Sequence, residues 1–168
     1  MCRQIFLCGG LFALILVSSF GTSRAGEYTE YGTPDDAKAL LDRAILAVKA
    51  DKTKAIKSFN SNAPLYRDRD LFVFCFDGDD GVFTAHEALV GQDVRALRDK
   101  TGKSYGEEMY RRAKEDQLTE IAYMSPMPGE FFQVAKRAYI ARVADQVCGV
   151  SFYRFNGPGT PVEYVPVK

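Results

Sequence analysis

Residues 70–93 read DLFVFCFDGDDGVFTAHEALVGQD. Leu71 to Phe76 is an apolar, aromatic-rich run, too short for a core helix and the right length for a buried strand. Asp77-Gly78-Asp79-Asp80-Gly81 supplies what a tight turn needs. Glycines take positive φ, and aspartate carboxylates bond nearby amides. Val82 to His86 then reads as the returning strand of a hairpin. His86, the only histidine of the chain, ends it.

Upstream, the sequence marks a helix start. Thr33 is a good N-cap, Pro34 suits the first helical position, and Asp35 and Asp36 put negative charge in the first turn. Ala37, Leu40, Leu41, Ala44, Ile45 and Val48 recur at helical spacing, and Ala55, Ile56 and Phe59 resume the stripe. The pattern predicts one long helix from about Pro34 to Phe59, irregular near Asp51. Asn60 to Pro64 ends it.

Downstream, Glu87 to Gly91 reads as a loop and Val94 to Asp99 as one helical turn. Asp99-Lys100-Thr101-Gly102 is a turn signal. Ser104 caps a short helix that carries Met109, Tyr110 and Ala113 on one side. Leu118 to Met124, Phe131 to Val143 and Val147 to Phe155 read as strands, the second favoured over a helix by its aromatic and β-branched content. The order is a long helix, a hairpin, a short helical region and a three-strand meander, an α+β layout with one antiparallel sheet.

The chain has 168 residues, enough for one domain with a proper core. Residues 1–25 have a basic start, an apolar run from Ile5 to Val17 and Ser23-Arg24-Ala25 in the small-x-small pattern of a cleavage site. They read as a secretory signal that delivers the chain to the periplasm or outside, with an uncleaved inner-membrane anchor as the alternative. Residues 26–33 form a leader, 34–155 a single folded domain, and 156–168 a Pro-rich tail. Without the signal, 20 basic residues stand against 22 acidic ones. This balance, without basic clusters, gives no footprint for nucleic acid. No later stretch is apolar enough for a second membrane crossing, so no cytoplasmic output domain is expected. Cys75 and Cys148 remain after cleavage, and in an exported protein two cysteines invite a disulfide.

Metal and cofactor chemistry find little support. Counting from Asp77, position 6 is Val82 rather than glycine and position 12 is Ala88 rather than glutamate, so a calcium loop fails. His86-Glu87 lacks the second histidine of a zinc helix, and no CxxC spacing exists. One histidine and two strand cysteines assemble no nucleophile, base and orienter, so the chain reads as a non-enzyme without cofactors. Lys136 is more informative. Strand alternation puts it on one face with Phe132, Val134, Ala138 and Ile140, and a lysine among apolar neighbours needs a partner for its ammonium. Tyr105, Tyr110 and Tyr123 are candidate hydroxyl donors. Arg95 and Arg142 rank below Lys136 as cations.

The series Asp70-Leu71-Phe72-Val73-Phe74, Asp77, Gly81, Ala85-His86, Gly91-Gln92-Asp93 and Asp99-Lys100-Thr101-Gly102 resembles a single Cache domain of the second type. Tyr105-Gly106, Tyr123, Pro128, Lys136, Tyr139-Ile140 and Cys148 to Tyr153 extend the resemblance over roughly residues 34–155. It implies a PAS-like, five-stranded antiparallel sheet in the order 2-1-5-4-3, with a long helix across one face. It also implies extracytoplasmic binding of a small organic anion or amino acid. On this resemblance Lys136 and Tyr139 match a K-x-x-Y segment and His86 a pocket donor after the second strand. The ligand set is then His86, Tyr105, Tyr123, Lys136 and Tyr139. Strict alternation sends Tyr139 to the face opposite Lys136, so a bulge or a structural role is needed for one of them. The same resemblance makes the first and last strands neighbours and a Cys75–Cys148 bridge plausible. Signalling would pass through a separate membrane receptor or kinase. The other reading is a membrane-anchored interaction module with no ligand.

Overall fold

Thr33 opens the first helix as its chemistry dictates. Its hydroxyl accepts from Asp36 N–H at 3.2 Å while the Asp36 carboxylate accepts from Thr33 N–H at 2.9 Å, a reciprocal capping box. In this computed structural model, which describes residues 31–127 and 132–155 and the backbone of 164–165, helix α1 spans Pro34–Ala50. Helix α2 follows at once, Lys52–Asn60. The predicted single helix is therefore two. Asp51 is extended (φ −160°, ψ 97°) and its carboxylate accepts from Lys54 N–H at 3.0 Å, so it closes α1 and caps α2. A short acceptor side chain has here out-competed helix continuation for the backbone. The segments read as signal and leader lie outside the described residues, apart from 31–33, and so does the tail apart from the backbone of 164–165.

Among the described residues seven strands follow in chain order: β1 Arg67–Asp68, β2 Leu71–Asp77, β3 Phe83–Ala85, β4 Thr119–Pro126, β5 Gln133–Val143, β6 Gln146–Tyr153 and β7 Tyr164–Val165. Helix α3, Tyr105–Arg112, lies between β3 and β4. The main strands lie in the order β3-β2-β6-β5-β4, every pair antiparallel, with β1 beside the start of β2 and β7 beside the start of β5.

Alternation sorts this sheet into two cores. Leu71, Val73, Cys75, Cys148, Val150 and Phe152 face α1 and α2 and pack on Leu40, Leu41, Ala44 and Phe59. Phe74, Phe76, Ile121, Ala138, Ile140 and Val147 face the other way, toward Phe83, Val94 and Met109. Cys75 and Cys148 stand directly opposite each other in the β2–β6 register, 4.1 Å apart at Cα, and are joined by a disulfide on the helix-covered face.

The acidic turn of the hairpin is tied down on every side. Asp77 Oδ1 accepts from Asp79 N–H at 2.8 Å and Asp80 Oδ1 from Val82 N–H at 2.7 Å. Tyr110 Oη donates to the Asp79 carbonyl, Arg95 to the Asp80 carbonyl, and Arg142 pairs with the Asp79 carboxylate. Tyr110, Arg95 and Arg142 thus serve the turn. Among the described residues no cluster of three or more histidine, cysteine, aspartate or glutamate side chains is placed to hold a metal ion.

Candidate functional site

The face of the sheet away from α1 is not closed by a long helix. Its cover is the segment from a single 3-10 turn, Val94–Ala96, through α3. Gly106 lets this cover fold flat, because a Cβ there would lie 1.8 Å from the Val94 carbonyl oxygen. The loop between the two pieces docks on the outer edge of β4. Asp99 Oδ2 accepts from Met124 N–H at 3.0 Å, and Lys103 Nζ donates to the Ala122 carbonyl. Those two backbone groups would otherwise be unpaired donors and acceptors of an edge strand.

Between cover and sheet lies a cavity of about 230 Å3, just below the usual range of about 300–1,000 Å3 for ligand sites. Phe72, Phe74 and Phe83 from the hairpin, with Leu89, Leu97 and Met109, form its apolar wall. The polar lining is His86, Tyr105, Tyr123, Ser125, Lys136 and Ser151, with no aspartate or glutamate among the described residues that line it.

Lys136 enters from β5. Its ammonium lies 4.3 Å from the centre of the Tyr153 ring, a cation–π contact. Among the described residues no carboxylate forms an ion pair with it and no hydrogen bond reaches Nζ. Burial pushes its pKa down, and the charges of Asp70 and Glu87 pull it back only in part. His86 lies against the rings of Phe72 and Phe83, 5.3 and 5.2 Å between centres. Its Nδ1 accepts from Ala88 N–H at 3.0 Å, which places the proton of the neutral ring on Nε2 as a donor. Burial lowers its pKa, and Lys136 lowers it further against an opposing pull from Glu87.

Tyr105 and Tyr123 stack face to face, 4.2 Å between centres and 6° between planes. One belongs to the cover and the other to the sheet, so the stack joins them. Tyr123 Oη donates to Ser151 Oγ at 2.9 Å, and burial raises the pKa of both tyrosines. Both phenols therefore stay protonated as donors at any physiological pH.

Four of the five predicted ligand residues, His86, Tyr105, Tyr123 and Lys136, line one cavity. Tyr139 does not. It packs among the residues under α1 and lies 4.8 Å, ring centre to ring centre, from Phe152, because β5 runs without a bulge from Lys136 to Tyr139 and strict alternation turns the two to opposite faces. Ser125 and Ser151 are lining residues that sequence reasoning missed. Ser151 had a usable signal: it shares the inward parity of Val147 and Gly149 on β6, where a hydroxyl interrupts an otherwise apolar strand.

The array is one cation and several neutral donors around an apolar chamber. His86 Nδ1 is taken by a backbone amide rather than an orienting carboxylate, and Ser151 Oγ is engaged by Tyr123. Such a set can hold an anion but does not form the hydrogen-bonded relay that activates a nucleophile.

No protein-family model and no curated protein matches the chain. Solved structures do. One is a periplasmic sensor domain of a chemotaxis protein, 20% identical, with a TM-score of 0.53 over 71% of this chain and 88% of that one. Another is a Cache chemosensory domain described for carboxylic acid recognition, 21% identical, with a TM-score of 0.52 over 71% of this chain and 86% of that one. The chain has the fold of a Cache domain.

Proposed function

We propose that the chain is an exported, small-molecule-binding sensory domain whose cavity takes a small carboxylate or amino-acid-like anion. The observation that carries this reading is the Lys136 ammonium, set in a largely apolar cavity without an ion-pair partner among the described residues. A half-buried cation among apolar side chains is costly without a counter-charge, and a carboxylate offsets that cost most fully. The Nε2–H of His86 and the Tyr105 hydroxyl add neutral donors, and among the described residues no carboxylate lines the cavity to repel an anion. A structural neighbour described for carboxylic acid recognition supports the same ligand class. The N-terminal segment read as a signal supports export.

Titration calorimetry of the domain against a panel of small organic acids and amino acids tests the reading. Lys136→Met keeps the apolar stem and removes the charge. It should weaken every anionic hit about 10- to 100-fold, the worth of a charge-assisted hydrogen bond. Full affinity in Lys136→Met would overturn the assignment.

A further inference from the structure

The lining of the cavity is sorted by strand. Tyr123 and Ser125 come from β4, Lys136 from β5 and Ser151 from β6, so these three strands supply a polar end. Phe72 and Phe74 come from β2 and Phe83 from β3; Leu89 belongs to the loop that follows, and Leu97 and Met109 to the cover. Only His86 and Tyr105 interrupt that division. His86 packs on the rings of Phe72 and Phe83, and Tyr105 lies flat on Tyr123. Strand β6 stands between β5 and β2. Lys136 and the phenylalanines of β2 are therefore rooted two strand spacings apart, about 10 Å.

We propose that the ligand is an amphiphilic monocarboxylate with a benzene-sized apolar tail, its carboxylate on Lys136 and its tail against Phe72, Phe74 and Phe83. This rests on the reading of the cavity as an anion site, and narrows it. An apolar cavity of about 150 Å3 is enough for benzene. A cavity of about 230 Å3 therefore has room for such a ring, or a chain of similar bulk, together with a carboxylate. At the polar end Ser151 Oγ accepts from Tyr123, which leaves the serine's own proton to donate to the anion. Acetate would leave the phenylalanine wall uncovered. The ammonium of an amino acid would need an acceptor, yet among the described residues no carboxylate lines the cavity. His86 Nδ1 is already taken by Ala88 N–H, and Ser151 Oγ by Tyr123. The second carboxylate of a diacid would fall against phenylalanine rings, because Lys136 is the one lysine or arginine among the described lining residues.

Titration calorimetry of the full chain with acetate, butyrate, hexanoate and benzoate is the test. Affinity should rise about three- to four-fold for each methylene buried, which puts hexanoate roughly 100-fold above acetate, with benzoate near hexanoate. Norleucine and adipate keep the hexanoate chain but add an ammonium or a second carboxylate, and each should bind about ten-fold weaker than hexanoate or worse. Acetate, norleucine or adipate matching hexanoate would overturn the proposal, as would a failure of both hexanoate and benzoate to bind. Hexanol separates this proposal from the reading it rests on. It should bind the wild type more weakly than hexanoate, and in Lys136→Met the two should bind alike. Equal binding of hexanol and hexanoate to the wild type would sink the anion-site reading and leave only the tail. Acetate binding as tightly as hexanoate, with hexanol weak, would keep the anion site and sink the tail. A preference for hexanoate over hexanol that survives in Lys136→Met would put the carboxylate elsewhere and overturn the assignment.

Discussion

Asp36 and Lys136 are charged side chains under opposite pressures. Partial burial works against the charge of Asp36, but the Thr33 hydroxyl and amide and the Arg69 guanidinium outweigh it and hold the carboxyl at about 2. Its folded pKa lies below the unfolded value, so its stabilisation is present above about pH 4 and is lost as pH falls toward 2. The side chain is 37% exposed, which reduces the contribution to about 1 kcal/mol. Asp36→Ala should therefore melt several degrees lower than wild type at pH 6, and the gap should close by pH 2. A gap that persists undiminished in acid would show that the capping box is not its source. Residues of this kind are legible because everything they need is local: Thr33, Pro34 and Asp36 announce the cap within four positions. Lys136 was legible through alternation alone. Ser151 was harder to find, since its meaning depends on which strands lie beside it. Tyr139 shows the limit of a pattern carried over by resemblance, because strand parity overrode it.

At the scale of elements, the cover of the cavity is the piece most exposed to failure. Val94–Ala96 and α3 meet at Gly106, whose added Cβ would strike the Val94 carbonyl, a backbone atom that cannot swing aside. Gly106→Ala should displace α3 and cost about 1–3 kcal/mol. It should also pull Tyr105 off Tyr123, opening the cavity wall while the sheet and the helices beneath it stay intact. The expected result is a lower but still cooperative melting transition, an unchanged disulfide, and loss of binding for any anion that the wild type takes. Wild-type affinity in Gly106→Ala would mean that the cover is not part of the site. Long elements were readable from periodicity and caps: the α1 stripe, the hairpin and the three later strands all lie near their expected places. The break at Asp51 was visible only as an irregularity, because an aspartate can either continue a helix or cap the next one, and tertiary packing chooses. The two-residue strands β1 and β7 carry no period to detect. The docking of Asp99 and Lys103 on the edge of β4 depends on contacts across about 20 residues of chain, which no local rule supplies.

The whole molecule is a sheet with different tasks on its two faces. One face is sealed by α1 and α2 and contains the disulfide; the other, under the thinner cover, contains the cavity. Cys75 and Cys148 are 73 residues apart in sequence and join the two central strands, so the bridge closes a large loop in the unfolded chain. In the chain-entropy account such a loop is worth about 4 kcal/mol, or roughly 15 °C in melting midpoint for a domain of this size. The double variant Cys75→Ala, Cys148→Ala should lose close to that amount in a calorimetric melt. Because both sulfurs lie on the helix face, the cavity lining is untouched by the change. Anion affinity measured well below the new midpoint should stay within about two-fold of wild type, since residues without shared partners contribute independently. A large loss of affinity in a variant that still melts cooperatively would mean that the sheet does not insulate its faces. The central strands would then carry strain from the helix side into the site, and the disulfide would belong to the binding machinery as well as to the scaffold.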